Sequence, residues 1–185
     1  VEVLRTEDGG SKHRLNGYAS PTPVLDGQHV FVHFGPRGTV CLDTAGRTVW
    51  KNTEFKFNVI QGAASSPILH EDLLILTCDG IDNQFIVALD KQTGRELWKS
   101  ESRDEAGHTG GLVPMSVQGI PCVAVLTLRN LVVTRIDGSN VGKTVAAVPW
   151  TTDFANNITT PAVSGDAVIM TSASNQHAMC RVKVG

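Results

Sequence analysis

A short acidic and amide-rich run at residues 79–83 is the stretch of this sequence that most resembles a metal-binding loop. Asp79, Asp82 and Asn83 place three oxygen-bearing side chains within five residues, and Ca²⁺ prefers oxygen ligands. The run lacks both the alternating spacing of a calcium loop and its closing Glu. Because the same residue types favour tight turns, we predict a turn here and assign no metal ligands.

The four cysteines are dispersed along the chain. They contain no adjacent pair and no CxxC spacing, which zinc sites and dithiol redox sites use. Three disulfide connectivities are open to four cysteines. Free Cys is among the most buried residue types, so we expect small buried side chains in strands at Cys41, Cys78, Cys122 and Cys180.

The histidines form no catalytic motif that the sequence reveals. His33 lies between Val32 and Phe34 in an alternating segment, and we expect a hydrogen-bonded strand histidine rather than a metal ligand. Residues 108–111 are glycine-rich, but neither a Lys nor a helix follows them, so a phosphate cradle is not expected. We assign no catalytic residue.

Charge and hydropathy argue against two partner classes. The 16 Lys and Arg nearly balance the 18 Asp and Glu, for a net charge of -2, and nucleic-acid binding depends on clustered positive charge. The longest apolar runs, 73–76 and 121–126, are too short to cross a bilayer. The first thirty residues contain no basic-then-apolar leader. We therefore predict no nucleic-acid partner and no transmembrane segment.

Two independent markers recur along the chain with a period of about 47 residues. The first is a proline before a short apolar run and a turn, at positions 23, 67, 114 and 161, which are 44, 47 and 47 residues apart. The second is a three-residue segment whose last residue is Asp in the first three copies. It begins at positions 41, 88, 135 and 181, which are 47, 47 and 46 residues apart. Self-similarity at such a period is typical of solenoids and propellers.

Each repeat reads as four short strands separated by turn residues, and no segment sustains helical spacing. Such a unit is typical of a propeller blade, because radial stacking buries both faces of each sheet. A β-sandwich would not require the recurrence. We therefore predict an all-β propeller of four-stranded antiparallel blades, about four in this chain. The repeats lie at approximately 18–53, 64–100, 112–150 and 159–184, the last without its fourth strand, and residues 1–6 are expected to be the last strand of a preceding or closing blade.

The most complete copy of the second marker lies at residues 88–98. Its fixed positions follow the pattern A-x-D-x-x-T-G-x-x-x-W and are occupied by Ala88, Asp90, Thr93, Gly94 and Trp98. This segment resembles the signature of the quinoprotein-like (PQQ-like repeat) propellers, a family that includes bacterial outer-membrane assembly lipoproteins. The repeat period extends the resemblance over essentially the whole chain.

The first blade carries a shorter copy of the motif with Asp43, Gly46 and Trp50. The Asp is expected to accept hydrogen bonds from turn amides, the Gly to adopt a positive φ, and the Trp to dock between neighbouring blades. In the third repeat Ala146 stands where the Trp belongs, so Trp150 is not the equivalent residue. The fourth repeat has Lys183 in place of the Asp.

The resemblance implies a ring of six to eight blades, of which this chain would supply part. A four-bladed ring completed by the N-terminal strand is the alternative. The family's dehydrogenases hold pyrroloquinoline quinone (PQQ) and Ca²⁺ beside an adjacent cysteine pair, a carboxylate ligand and an Asp base, and none of these motifs occurs in this segment. Other relatives keep the repeat only as architecture.

We therefore favour a non-catalytic binding or scaffold propeller, periplasmic or secreted, that presents a loop face to a protein or polysaccharide partner; no cofactor is supported by this segment. The alternative is a fragment of a PQQ- and Ca²⁺-dependent alcohol or sugar dehydrogenase. The candidate partner-binding residues lie in the longer loops between blades, where binding residues concentrate, and packing beneath the ring is the competing interpretation. These residues are Phe55, Phe57, Phe154 and Asn156.

Overall fold

Fifteen β-strands and no α-helix are formed by the residues that the computed structural model describes, which are 2–6, 11–82, 84–101, 110–152, 157–172 and 178–185. The strands group in chain order into four separate sheets, and every neighbouring pair is antiparallel. Blade one contains β1 (Val24–Leu25), β2 (His29–His33), β3 (Thr39–Asp43) and β4 (Thr48–Asn52). Blade two contains β5 (Ile68–His70), β6 (Leu73–Asp79), β7 (Gln84–Asp90) and β8 (Glu96–Lys99).

Blades three and four follow the same order. Blade three contains β9 (Val113–Val117), β10 (Ile120–Leu126), β11 (Asn130–Arg135) and β12 (Thr144–Pro149), and blade four contains β13 (Ala162–Ser164), β14 (Ala167–Thr171) and β15 (Met179–Lys183). The predicted all-β propeller of antiparallel blades is confirmed, with four strands in the first three sheets and three in the last.

The N-terminal residues differ from the prediction. The described residues 2–6 form no strand, and they lie beside the first blade, where Lys51 Nζ donates a hydrogen bond to the carbonyl of Val3 at 2.5 Å. The strand expected at residues 1–6 is therefore not formed by the described part of that segment. An apolar alternation over so few residues specifies no partner strand, because pairing depends on which sheet edge lies within reach.

The two-residue period of the strands places alternate side chains on opposite faces of each sheet. On β6, Leu74 and Leu76 contribute to a cluster shared with blade one, whereas Ile75 contributes to a cluster shared with blade three. A third cluster joins blades three and four. Burial of both faces explains why β6 and β7 read as nearly continuous apolar runs, and it makes the interfaces between blades the core of the protein.

An irregular register recurs at the same position in three blades. The ladder shifts between Cys41 and Leu42, between Ala88 and Leu89, and between Val133 and Thr134. Directly beside these shifts, Cys41 pairs with Trp50, Ala88 with Trp98, and Val133 with Ala146. The register therefore places Ala146 where the other blades have a tryptophan.

The connections divide between the two ends of each sheet. In an antiparallel sheet the turn between the second and third strands lies at the end where the fourth strand leaves for the next blade. We call this the loop end, and it carries the longer connections, including residues 53–67. No helix among the described residues is long and apolar enough to cross a bilayer.

Candidate functional site

The tryptophan of blade one docks against the turn that precedes β8 in blade two. Trp50 is 9% exposed, and its Nε1 donates a hydrogen bond to the Lys91 carbonyl at 2.9 Å. Gly94 has φ +72, and a Cβ at that position would lie 2.6 Å from Cδ2 of Trp50. The glycine is thus required both by its backbone conformation and by the ring lying over it.

The motif aspartates organise the same turns. Asp90 Oδ1 accepts hydrogen bonds from the backbone N–H groups of Gln92 and Thr93 at 2.9 and 2.8 Å and from the Thr93 hydroxyl at 3.0 Å. The hydrogen bond from the Thr93 amide is the main reason that the pKa of Asp90 lies below its usual value. In blade one the Arg47 amide lowers the pKa of Asp43 in the same way. These contacts give the motif residues a structural role.

Trp98 repeats this arrangement less completely. Its ring lies against Gly142 of blade three, where a Cβ would be 3.5 Å from Cε3. The side chain is half-buried, and its buried Nε1 has no hydrogen-bond partner. Ala88 pairs with Trp98 across the strand ladder and is fully buried. Its small side chain leaves room beside the indole ring.

A pair of buried polar side chains marks the loop end of each of the first two blades. His33 Nδ1 lies 2.9 Å from Thr39 Oγ1, so His33 is the hydrogen-bonded strand histidine that the sequence predicts. Asp79 accepts a hydrogen bond from Gln84 Nε2 at 3.1 Å. Because Asp79 is only 5% exposed and bonded within the sheet, it is not available as a loop metal ligand, and Asn83 lies outside the described residues.

Burial shifts the pKa values of these two groups in opposite directions. Desolvation raises the pKa of Asp79 to about 7 and lowers the pKa of His33 to about 4. Between about pH 4 and 7 the folded protein retains a proton on Asp79 that the unfolded chain releases, so this group makes stability fall as pH rises. Between about pH 4 and 6.5 the unfolded chain protonates His33 more readily, so that group makes stability rise with pH.

The cysteines are free thiols in strands of the four blades. Cys41, Cys78 and Cys122 are buried and Cys180 is half-buried. Desolvation raises the pKa of Cys41 to about 11 and also raises the pKa values of Cys78 and Cys122. Protonated, enclosed thiols are poor nucleophiles, so Cys41, Cys78 and Cys122 have the predicted packing role, whereas Cys180 is less buried than predicted.

The loop after β4 divides its apolar residues between the core and the surface. Phe57 is buried and meets Phe85 edge-on, with ring centroids 6.4 Å apart. Phe55 is half-buried against the same cluster, whereas Ile60 is 52% exposed. The two phenylalanines thus hold this candidate binding loop against the propeller, whereas the apolar side chain of Ile60 is exposed to solvent. The other two candidates, Phe154 and Asn156, lie outside the described residues.

Asn157, which precedes blade four, is bonded to the end of blade three. This side chain is 1% exposed, and its Nδ2 lies within donor distance of the Thr127, Leu128 and Trp150 carbonyls at 2.9, 3.2 and 2.9 Å. Sequence reasoning missed this role, because the local pattern contains no signal for three acceptors that converge from two separate segments of the chain.

Two further chain segments meet the loop after β4 at the loop end. Ser11 Oγ donates a hydrogen bond to the Ile60 carbonyl at 3.2 Å, and Asn16 Nδ2 donates to the Gln61 carbonyl at 2.6 Å. From blade two, the Ile81 amide donates to the Asn58 carbonyl at 2.9 Å. These bonds bring the backbone segments that carry Leu15, Ile60 and Ile81 together at the loop end. We call these three exposed residues the aliphatic patch.

Comparison with known proteins identifies the repeat. The sequence profile of the outer membrane protein assembly factor BamB family matches residues 6–180. The chain belongs to this PQQ-like repeat family. The sequence matches no curated protein at a significant level.

Solved structures share the fold at low sequence identity. BamB from Moraxella catarrhalis superimposes with a TM-score of 0.62 at 19% identity, over 87% of this chain and 47% of that one. The computationally designed protein Ika4 matches with a TM-score of 0.60 at 11% identity, over 100% of this chain and 99% of its own. A quinohemoprotein alcohol dehydrogenase from Pseudomonas putida HK5 matches with a TM-score of 0.50 at 16% identity, over 75% and 22%. The chain thus spans about half the length of the BamB that it matches.

The described residues do not fit the quinone and calcium site that the dehydrogenase resemblance implies. No three His, Cys, Asp or Glu side chains among them converge on a common point. The cysteines lie in four different blades, so they supply no adjacent pair. Asp79, the carboxyl group of the candidate loop, is bonded to Gln84 within its own sheet.

Proposed function

We propose that this chain is a non-catalytic binding propeller that presents its loop end to a protein partner in the periplasm or outside the cell. The observation that carries the proposal is the aliphatic patch, where Leu15, Ile60 and Ile81 are 80%, 52% and 39% exposed. The outer-membrane description of the family supports the cellular location.

The patch has the support that a binding surface needs. Its three side chains come from distant parts of the sequence, and hydrogen bonds to Ile60, Gln61 and Asn58 hold their backbones together. The buried Phe57 ring anchors the loop that carries Ile60 in the core between blades one and two. A partner would therefore meet a preorganised surface and would pay little to order it.

The chemistry of the patch favours a protein over a polysaccharide. Interface centres between proteins are depleted of charge and rich in apolar side chains, and the three residues here are aliphatic. Each aliphatic side chain removed fully from water contributes about 1.5–3 kcal/mol before the costs of association. Three such residues can form the centre of an interface whose rim is polar.

Site-specific photocrosslinking in the full-length protein tests the proposal in its native cells. A benzophenone side chain is placed at Ile60 or Ile81, and in the control at Leu97, which is 55% exposed on outer strand β8. We expect one discrete crosslinked protein from the two patch positions and none from Leu97. Replacement of Leu15 by Asp should abolish the crosslink from Ile60, since it puts a charge into the same patch.

Two results would contradict the proposal. Crosslinks of equal yield from Leu97 would mean that the reagent reports random collisions. The absence of a product at both patch positions would mean that the patch is not a partner-binding surface.

Calorimetric titration of the full-length protein with PQQ and Ca²⁺ tests the alternative function. Saturable binding with a one-to-one stoichiometry would favour the dehydrogenase hypothesis over the scaffold.

A further inference from the structure

A cleft between the N-terminal segment and the loop end of blade one is rich in positive charge. It has a volume of about 390 Å³, which lies in the usual range for small-ligand sites. Arg5, Arg37 and Lys56 line it together with Leu4, Pro36 and threonine side chains, and no Asp or Glu is among its lining residues in the described structure.

The guanidinium group of Arg37 has unpaired donors, which also indicate a ligand at this cleft. Arg37 ends the 3-10 turn Gly35–Arg37 between β2 and β3, and its guanidinium carbon lies 4.2 Å from the centre of the Tyr18 ring. Its Nε and Nη1 atoms are buried without a hydrogen-bond partner. Buried polar groups are normally hydrogen-bonded, and those of a charged group are especially costly to leave unpaired.

An apolar pocket adjoins the cationic cleft. It has a volume of about 240 Å³ and shares Leu4, Thr6 and Arg37 with the cleft, while Tyr18, Ala19 and Phe34 form its other walls. Arg37 therefore stands between a region that attracts negative charge and a region that accepts an aromatic or aliphatic group. The N-terminal segment that covers both is fastened to β4 through the bond from Lys51 to Val3.

We propose that this composite cleft binds a phosphate monoester with an apolar substituent. A guanidinium group recognises phosphate oxygens through two parallel N–H donors, and an ammonium group adds a point charge. A phosphate monoester carries a charge of about -1.5 to -2 at neutral pH, which matches three cations better than a single carboxylate does. The apolar substituent occupies the pocket beside Tyr18. The site does not depend on the partner surface, which uses different residues.

Calorimetric titration of the full chain with phenyl phosphate tests this assignment, with inorganic phosphate, benzoate and phenol as the comparison ligands. We expect phenyl phosphate to bind at least about tenfold more tightly than each of the others, because only it fills both regions. Raising the salt concentration from about 20 mM to about 300 mM should weaken binding several-fold, since screening acts on partly exposed charges. Phenyl phosphate should also shift the Arg37 Nε–H signal in a nuclear magnetic resonance spectrum.

Three variants locate the site. Arg37→Gln should weaken phenyl phosphate binding about tenfold or more, and Lys56→Gln should weaken it about threefold without altering the stacked pair of Arg37 and Tyr18. Arg95→Gln, an exposed cation in the turn before β8, should leave binding unchanged. The proposal is overturned if the Arg37 signal does not move at about 10 mM ligand, if benzoate binds as tightly, or if Arg95→Gln weakens binding as much as Lys56→Gln.

Discussion

Because the Trp50 ring of blade one packs over Gly94 of blade two, we expect Gly94→Ala to destabilise the protein. Comparison of two glycines with positive φ separates the cost of the backbone conformation from the cost of the clash with the ring. Gly94 has φ +72 and lies under Trp50, whereas Gly27 has φ +93 and would place a Cβ with nothing within 4 Å. Gly27→Ala therefore measures the backbone penalty alone.

The magnitudes follow from these surroundings. A left-handed conformation costs an L-residue about 1–2 kcal/mol, and that is the expected loss for Gly27→Ala. Gly94→Ala adds the displacement of a packed indole, and overpacking costs about 1–3 kcal/mol. The expected total for Gly94→Ala is about 2–5 kcal/mol.

A double-mutant cycle with Trp50→Ala identifies the cause. The single Trp50→Ala change should cost about 3–5 kcal/mol, because a large ring is removed from the core. In that background Gly94→Ala should cost no more than Gly27→Ala, since the space above the turn is vacant. The coupling between positions 50 and 94 should thus be about 1–3 kcal/mol.

Urea denaturation followed by circular dichroism measures the four free energies of unfolding without relying on tryptophan fluorescence. The reasoning is refuted if Gly94→Ala and Gly27→Ala have equal costs. It is also refuted if the cost of Gly94→Ala is unchanged when Trp50 is absent, because the penalty would then come from the turn itself.

The remaining predictions concern two indole N–H groups and one buried carboxyl group. Trp50→Phe should cost about 1–2 kcal/mol beyond the loss of ring size, because it leaves the Lys91 carbonyl unpaired, whereas Trp98→Phe removes an N–H that has no partner and should cost less; comparison of the two urea midpoints decides this. Asp79→Asn should remove a fall in stability of about 1.4 kcal/mol per pH unit, and the window is pH 4 to 7, where the raised pKa of Asp79 operates. In wild type the lowered pKa of His33 opposes that fall below about pH 6.5, so stability of the Asn variant should rise between pH 4 and 6.5 and stay level from 6.5 to 8. A variant that keeps the wild-type pH profile would show that Asp79 is ionised in the folded protein.

The sequence allowed prediction of the blades because their signals are local or periodic. The proline and Asp markers recur at nearly constant spacing, and the turns after the Asp markers of blades one and two form as expected, with Asp90 accepting hydrogen bonds from the amides that follow it. In blade three the prediction is wrong by two residues, because β11 ends at Arg135 where β3 and β7 end at Asp43 and Asp90, and Asp137 lies beyond the strand. The position equivalent to Trp98 in blade three was also predictable. Ala146 lies four residues after Gly142, as Trp98 lies four residues after Gly94, and the strand pairing places Ala146 at the same point of the ladder.

Other residues could not be placed from the sequence. Phe57 and Ile60 are three positions apart in one loop, yet one is buried and the other displayed. Trp50 and Trp98 share a motif but differ in burial and in hydrogen bonding. In each case the outcome depends on a neighbouring blade or loop, and a linear pattern does not specify which side chains that neighbour supplies.

Features that depend on residues close together in the chain can thus be predicted from the sequence, whereas features that depend on distant segments cannot. The sequence by itself determined the repeat, the strand order within each blade and the turn chemistry, because these depend on residues close together in the chain. Only the tertiary structure decided the aliphatic patch, the cationic cleft at Arg37 and the buried state of Asp79. These features arise where segments tens of residues apart exclude water from one another, and desolvation is a property of the assembled surface rather than of any one segment.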